Sequence, residues 1–308
     1  MNSVLMNHKV TKDINVSCFG EVLWDCFPDG KRVGGAPLNV CVRLNSLGIK
    51  ASMISAVGDD LLGHELLTFI DELGVNRDCI AVNKIENTST VQVSLDKNGS
   101  ATYDIVADTA WDNIELTDNI IEQVNHADML VFGSLIGRSA VSLTTLSALV
   151  DLASFSVFDV NLRAPHYQIE SIVALMNKAD FIKLNDDELY EIAKAMGSPF
   201  NSLEQNVDFI AKQTNTEYLC VTKGSHGALL SIQGQKFYNS GYLVKVIDTV
   251  GAGDSFLGSL IYQLCNDNNP QYAIDFACAV GAMVAQSHGA TPLLSLSEIE
   301  VFMQAVSK

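Results

Sequence analysis

The sequence predicts an α/β fold with a mostly parallel central sheet, helices on both faces and a small β lid. Three observations lead there. Short apolar runs that read as buried strands alternate with segments of helical periodicity. Two segments, about 22–33 and 88–107, break that rhythm with alternating polarity, which suits a small separate sheet better than a doubly wound core. Finally, the 308 residues hold no Pro- or Ser-rich linker, repeat or low-complexity tract, and 48% of them are hydrophobic, so residues 1–308 read as one domain.

Taken in order, residues 14–20 read as a buried first strand that ends in Gly20. Residues 21–33 hold Trp24, Asp25, Pro28, Asp29-Gly30 and two basic residues, the pattern of a short hairpin leaving the main body. A helix starts at Gly34-Gly35-Ala-Pro37, because proline suits the first helical turn; Val40, Cys41, Leu44 and Leu47 share one face and Gly48 ends it. Residues 51–57 form a strand, and 60–73 an amphipathic helix bounded by Asp59 and Gly74. From Thr88 to Val106, Val91, Val93 and Leu95 alternate with polar residues and Lys97-Asn-Gly99 supplies a turn. That hairpin is expected to pair with the 22–33 excursion. Strands at 129–132, 155–159 and 181–184 then alternate with helices from Ser139, near 169–177, from Asp186 and at about 202–214. Tyr218–Thr222 is a further strand, and short strands between Ala228 and Val246 predict an antiparallel sheet edge. Helices from Ala252, Gln271 and Ser297 finish the chain.

A net charge of −17 argues against nucleic-acid or anionic-membrane partners, which need clustered Lys and Arg. An anionic ligand would need local help. Seven cysteines without a Cys-x-x-Cys pair or metal-ligand spacing read as buried, reduced thiols. Residues 1–13 are polar and mixed, as in a frayed tail, and no run approaches the roughly 18 apolar residues of a membrane span. A soluble, cytoplasmic protein is expected.

The most informative stretch for chemistry is Asp248-Thr-Val-Gly-Ala-Gly-Asp-Ser-Phe256. Gly251 and Gly253 permit positive φ, so the N–H groups of Gly251, Ala252, Gly253 and Asp254 can converge into an anion-binding nest at the start of a helix. Asp254 falls in the first helical turn. It can cap free N–H groups or accept the proton of a hydroxyl substrate. Other polar clusters follow strand ends, where ligands of such sheets gather. After the first strand come Asp25, Gly34-Gly35 and Asn39, which offer close backbone approach and hydrogen-bonding groups for a sugar. Arg163 can meet phosphate oxygens with its planar donor fork, or join a surface ion pair. Asn185-Asp-Asp-Glu188 can position a hydrated Mg²⁺, or simply start a helix. Thr222-Lys-Gly-Ser-His-Gly227 can border a nucleotide. His226 and His288 read as structural. No Walker-type Gly-x4-Gly-Lys-Ser/Thr loop is present, and no Gly-x-Gly-x-x-Gly follows the first strand.

The segments Gly34-Gly35-Ala-Pro-Leu-Asn39 through Gly48 and Asp248 through Phe256 resemble, in order and spacing, the two signatures of the ribokinase-like (PfkB) carbohydrate kinases. The similarity spans nearly the whole chain. Asp159-Val-Asn-Leu-Arg163 and Ala110-Trp-Asp112 make the bacterial fructokinases the most similar members, and Cys41 stands where a small Ala, Ser or Thr is usual. The resemblance implies Asp254 as catalytic base and residues 251–254 as the anion hole. It implies Asp25, Gly35 and Asn39 at the sugar, with Gly34 and Arg163 beside them. Asn185, Thr222, Gly224 and Gly227 would border ATP, with Asn185 and Glu188 near Mg²⁺ and Asp248 and Val250 at a monovalent-cation site for K⁺. Arg163 and Lys223 would neutralise phosphate charge. The activity implied is ATP-dependent phosphorylation of the primary hydroxyl of D-fructose. Alternatives are 2-keto-3-deoxygluconate kinase, ribokinase or a sensor that binds sugar or nucleotide without turnover. A homodimer through the lid is a further expectation.

Overall fold

The computed structural model describes residues 13–28, 30–95, 101–266 and 269–306. Nine strands form the main sheet in the order β13-β12-β11-β10-β9-β8-β1-β4-β5. These are β1 (Asn15–Phe19), β4 (Lys50–Gly58), β5 (Asn76–Asn83), β8 (Met129–Gly133), β9 (Ser156–Asp159), β10 (Phe181–Asn185), β11 (Tyr218–Thr222), β12 (Ala228–Ile232) and β13 (Gln235–Asn239). From β5 to β11 every pairing is parallel; β12 is antiparallel to both neighbours, which gives the expected antiparallel edge. Residues 240–250 continue without a strand, so the run of strands stops short of Val246. At the end of β13 the Asn239 side chain accepts from Gly241 N at 2.7 Å, and further on the N–H groups of Ile247 and Asp248 donate to the Ala285 carbonyl, so these donors do not extend a ladder.

Burial on both faces explains the apolar strand sequences. In β1, Val16 and Cys18 join one core, with α1 (Ala36–Ser46), α2 (Leu61–Glu72), α8 (Ala252–Cys265) and α9 (Pro270–Ala285). Phe19 joins the other core, covered by α3 (Asp118–His126), α4 (Ala140–Leu152), α5 (Ile169–Met176), α6 (Asp186–Ala195) and α7 (Leu203–Thr214). The last helix is α10 (Leu296–Val306). Two of these elements were not anticipated, β5 and α3. In β5 only Cys79 and Ile80 are buried, so its apolar pattern is faint, as expected of an edge strand. In α3 only Ile120 and Val124 face the core, behind a Thr117 cap whose hydroxyl accepts from Ile120 N.

The two interrupting segments do meet. β2 (Leu23–Phe27) and β3 (Gly30–Gly34) form an antiparallel hairpin, and β2 pairs in parallel with β6 (Ser89–Leu95), itself antiparallel to β7 (Ala101–Ile105). The result is a separate four-stranded sheet, β3-β2-β6-β7. The expected Lys97–Gly99 turn and Asp29 lie outside the described residues, as do residues 1–12. All seven thiols are free, and no helix among the described residues is long and apolar enough to cross a membrane.

Candidate active site

A cavity of about 420 Å³ opens beyond the carboxyl ends of β8, β10 and β11, where open α/β sheets hold their ligands. Leu23, Asp25, Val91 and Ile105 of the small sheet cover it from one side; Val250, Gly251, Gly253 and Asp254 bound it from the other. The sequence-selected residues Gly35, Asn39, Arg163, Asn185, Glu188 and Thr222 also line it. Gly224 and Gly227 stand outside, in the turn after β11, where Lys223 N donates to the Gly227 carbonyl at 2.8 Å. His226 and His288 are exposed and do not line it.

The nest is built by one glycine rather than two. Gly251 caps α8 with φ 73°, and a β-carbon there would come within 2.5 Å of Ala290, so the position admits only glycine on both conformational and steric grounds. Gly253, by contrast, is already helical and has no positive φ. Its lack of a side chain leaves room rather than freedom. Gly251, Gly253 and Asp254 line the cavity at the positive end of a 14-residue helix, whereas Ala252 does not and its N–H donates to the Thr249 carbonyl at 3.2 Å, so the expected set of four donors is short of one.

Asp254 does not cap that helix. Among the described residues its carboxylate takes no backbone N–H of α8; instead Oδ2 accepts from Asn39 Nδ2 at 2.8 Å. That single bond spans 215 residues of sequence and joins the two helix starts singled out in the sequence. Asn39 thus holds the carboxylate, a role the sequence had not suggested for it. Burial, then the nearby Asp159 carboxylate, push Asp254 up to about 6, against the Asn39 bond and the cations Lys183 and Arg163. It stays mostly ionised at neutral pH.

Asp25 is raised to about 6 by burial, opposed by Arg163. Gly35 lets the chain cross close to it: φ is 118°, and a β-carbon would strike the Glu21 carbonyl at 2.3 Å. Gly34 leaves space in the same way for the Asp25 carboxylate. Arg163 is exposed and donates to the Leu162 carbonyl at 3.0 Å. Asn185 and Glu188 form a reciprocal cap on α6, with Asn185 Oδ1 accepting from Glu188 N and Glu188 Oε2 from Asn185 N, both at 2.8 Å. Glu188 Oε1 accepts from Leu162 N at 2.8 Å, so both carboxylate oxygens are engaged. Asp248 accepts from Val250 N at 3.0 Å and Gly289 N at 3.4 Å, with Arg32 Nη1 3.7 Å away.

Two charged lining residues were missed. Glu21 follows the first strand directly; its Oε1 accepts from Ala36 N at 3.1 Å and its buried Oε2 has no protein partner, while burial lifts it to about 7. Lys183 pairs with both oxygens of Asp159 at 2.8 and 2.9 Å. A signal existed in both cases: one carboxylate at a strand's carboxyl end, and one lysine inside the apolar run Phe181-Ile-Lys-Leu184. Conversely, Ala110-Trp-Asp112 lies outside the cavity and is architectural. Trp111 is fully buried under the Arg138 guanidinium, 4.1 Å from its ring, and Arg138 pairs with Asp112 at 2.7 Å.

Residues 5–296 match the model of the pfkB family of carbohydrate kinases. The chain belongs to the pfkB family. A fructokinase of Escherichia coli is 28% identical to it over 91% of this chain and 96% of its own length. The fold is shared with a Xylella fastidiosa fructokinase crystallised with ATP (TM-score 0.84, 22% identity, 97% of this chain and 100% of that one). It is shared also with a double mutant of Vibrio cholerae fructokinase holding fructose, ADP and potassium (TM-score 0.83, 23% identity, 96% and 100%).

Proposed function

We propose that this pfkB family member is an ATP-dependent kinase that phosphorylates the primary hydroxyl of D-fructose to give fructose 6-phosphate. The observation that carries the reading is the Asn39–Asp254 bond at the N-terminal end of α8, in a cavity that also contains Asp25. It sets a held, ionised carboxylate next to an anion site, the pair that phosphoryl transfer to an alcohol requires.

In this reading the sugar hydroxyl gives its proton to Asp254 while its oxygen attacks the γ-phosphorus. The bond to the β-phosphate bridging oxygen breaks and ADP leaves. Asp25, with the close approach allowed by Gly34 and Gly35, holds the other sugar hydroxyls, and Asn39 keeps Asp254 aimed. ATP lies along the ends of β10 and β11, past Asn185 and Thr222 toward Gly224 and Gly227. The small sheet acts as a lid whose closure excludes water. Because Asn185 and Glu188 have their oxygens engaged, Mg²⁺ fits as a hydrated ion carried on the ATP phosphates, where it would neutralise their charge. K⁺ would share the Asp248 carboxylate with Arg32 and use the Val250 carbonyl, so its effect should be modest. The edges β3 and β7 of the small sheet favour a homodimer through that sheet, and seven free thiols favour a reducing, cytoplasmic setting.

Coupled ADP release across a sugar panel tests the assignment. D-fructose should give the highest kcat/KM. A preference of about tenfold or more for 2-keto-3-deoxygluconate or ribose, roughly 1.4 kcal/mol, would replace fructose, and absence of turnover with every sugar would leave a binding protein.

A further inference from the structure

In a chain of net charge −17, the phosphate end of the cavity needs a cation, and the sequence offered Arg163 and Lys223. Lys223 does not line the cavity. Arg163 does, but at the exposed rim. The other cation among the lining residues is Lys183.

Its placement is specific. Lys183 and Asp159 stand opposite one another on the paired strands β10 and β9, and both side chains are under 10% exposed. The ammonium carries three protons, of which two are taken by the Asp159 oxygens at 2.8 and 2.9 Å. One remains. Nζ lies 3.6 Å from the point where a β-carbon on Gly253 would sit, which places the ammonium at van der Waals distance from the start of α8. Burial disfavours the charge, but Asp159, with Glu188 and Asp254, more than offsets this and holds the ammonium above its ordinary value.

We infer that Lys183 is a catalytic residue for phosphoryl transfer, donating a hydrogen bond from its third N–H to the transferring phosphoryl group at the start of α8, with Asp159 as its positioning residue. This rests on the kinase reading above. No bond to Lys183 forms or breaks; it balances negative charge that grows on the phosphoryl and leaving oxygens while Asp254 takes the hydroxyl proton. The Asp159 pair fixes the ammonium in advance, so little reorganisation is needed as charge develops.

A structural role would leave catalysis intact once the pair is replaced by something that packs. Buried ion pairs can often be exchanged for apolar residues of similar volume without loss of stability. The test is therefore Lys183→Met combined with Asp159→Leu, assayed with ATP and the best sugar of the panel. Circular dichroism and a cooperative melt establish folding. The expected result is a folded protein whose kcat falls by about 10²-fold or more while the sugar KM stays within about threefold. A folded double variant with kcat within about threefold of wild type overturns the inference. If the pair does not fold, Lys183→Gln, which can still bond Asp159, is read by the same two criteria. Failure of the kinase reading looks different, since wild type would then release no ADP with any sugar.

Discussion

The two ends of the cavity are built differently. At the phosphate end, Gly251 is pressed against Ala290, Asp254 is held by Asn39, and Lys183 is locked to Asp159, all at helix starts and strand ends packed into the two large cores. At the sugar end, Asp25 sits half-buried on β2, in a four-stranded sheet that pairs with no strand of the nine-stranded one. On the proposed function this contrast implies a division: changes at the first end should alter chemistry, and changes at the second should alter sugar affinity.

The largest expected effect lies at the rigid end. Asp254→Asn keeps size and an amide oxygen that can still accept from Asn39, but removes the proton acceptor, so kcat should drop by about 10²-fold or more in a folded protein, with ATP affinity little changed. Near-normal kcat would reduce Asp254 to a structural residue and erase the contrast.

At the cover, Asp25→Ala should raise the sugar KM by about 10- to 100-fold, the loss of hydrogen bonds to a charged acceptor, while the ATP KM stays within about threefold. Should kcat fall instead with KM unchanged, the two ends would not be separable.

Acidification sharpens the comparison because Asp254 must be ionised to accept a proton. With its carboxyl near 6, the ionised fraction, and kcat/KM with it, should decline about tenfold between pH 7 and pH 5. Asp25 titrates in the same range and would steepen the fall. A profile flat to pH 5 would contradict the base. In Asp254→Asn the Asp254 contribution should vanish.

The smallest effect should come from K⁺, whose proposed site at Asp248 and Val250 would border the nest without entering it. Turnover at matched ionic strength and saturating Mg²⁺ should rise by no more than severalfold over a bulky organic cation, because Arg32 already faces Asp248. Equal rates would remove the cation site.

The α/β alternation, the antiparallel edge and the second sheet were legible because buried strands, amphipathic helices and half-exposed hairpins each leave a periodic trace. β5 and α3 left weak ones: two buried residues apiece give no period to follow. Within the site, local signals found the glycine turn and Asp254 but assigned positive φ to Gly253 as well, since a sequence records what glycine permits and not what the helix imposes.

By itself, then, the sequence determined the order of elements, the glycine turn before α8 and the family signatures, all properties of neighbouring residues and their spacing. Folding decided the rest. That Asn39 serves Asp254 across 215 residues, that Glu21 keeps a free buried oxygen, and that Lys183 rather than Lys223 stands below the nest are consequences of which strands lie side by side. Strand register brings Lys183 opposite Asp159, and hydrogen bonds and charges act across those few ångströms however far apart the residues lie in the chain.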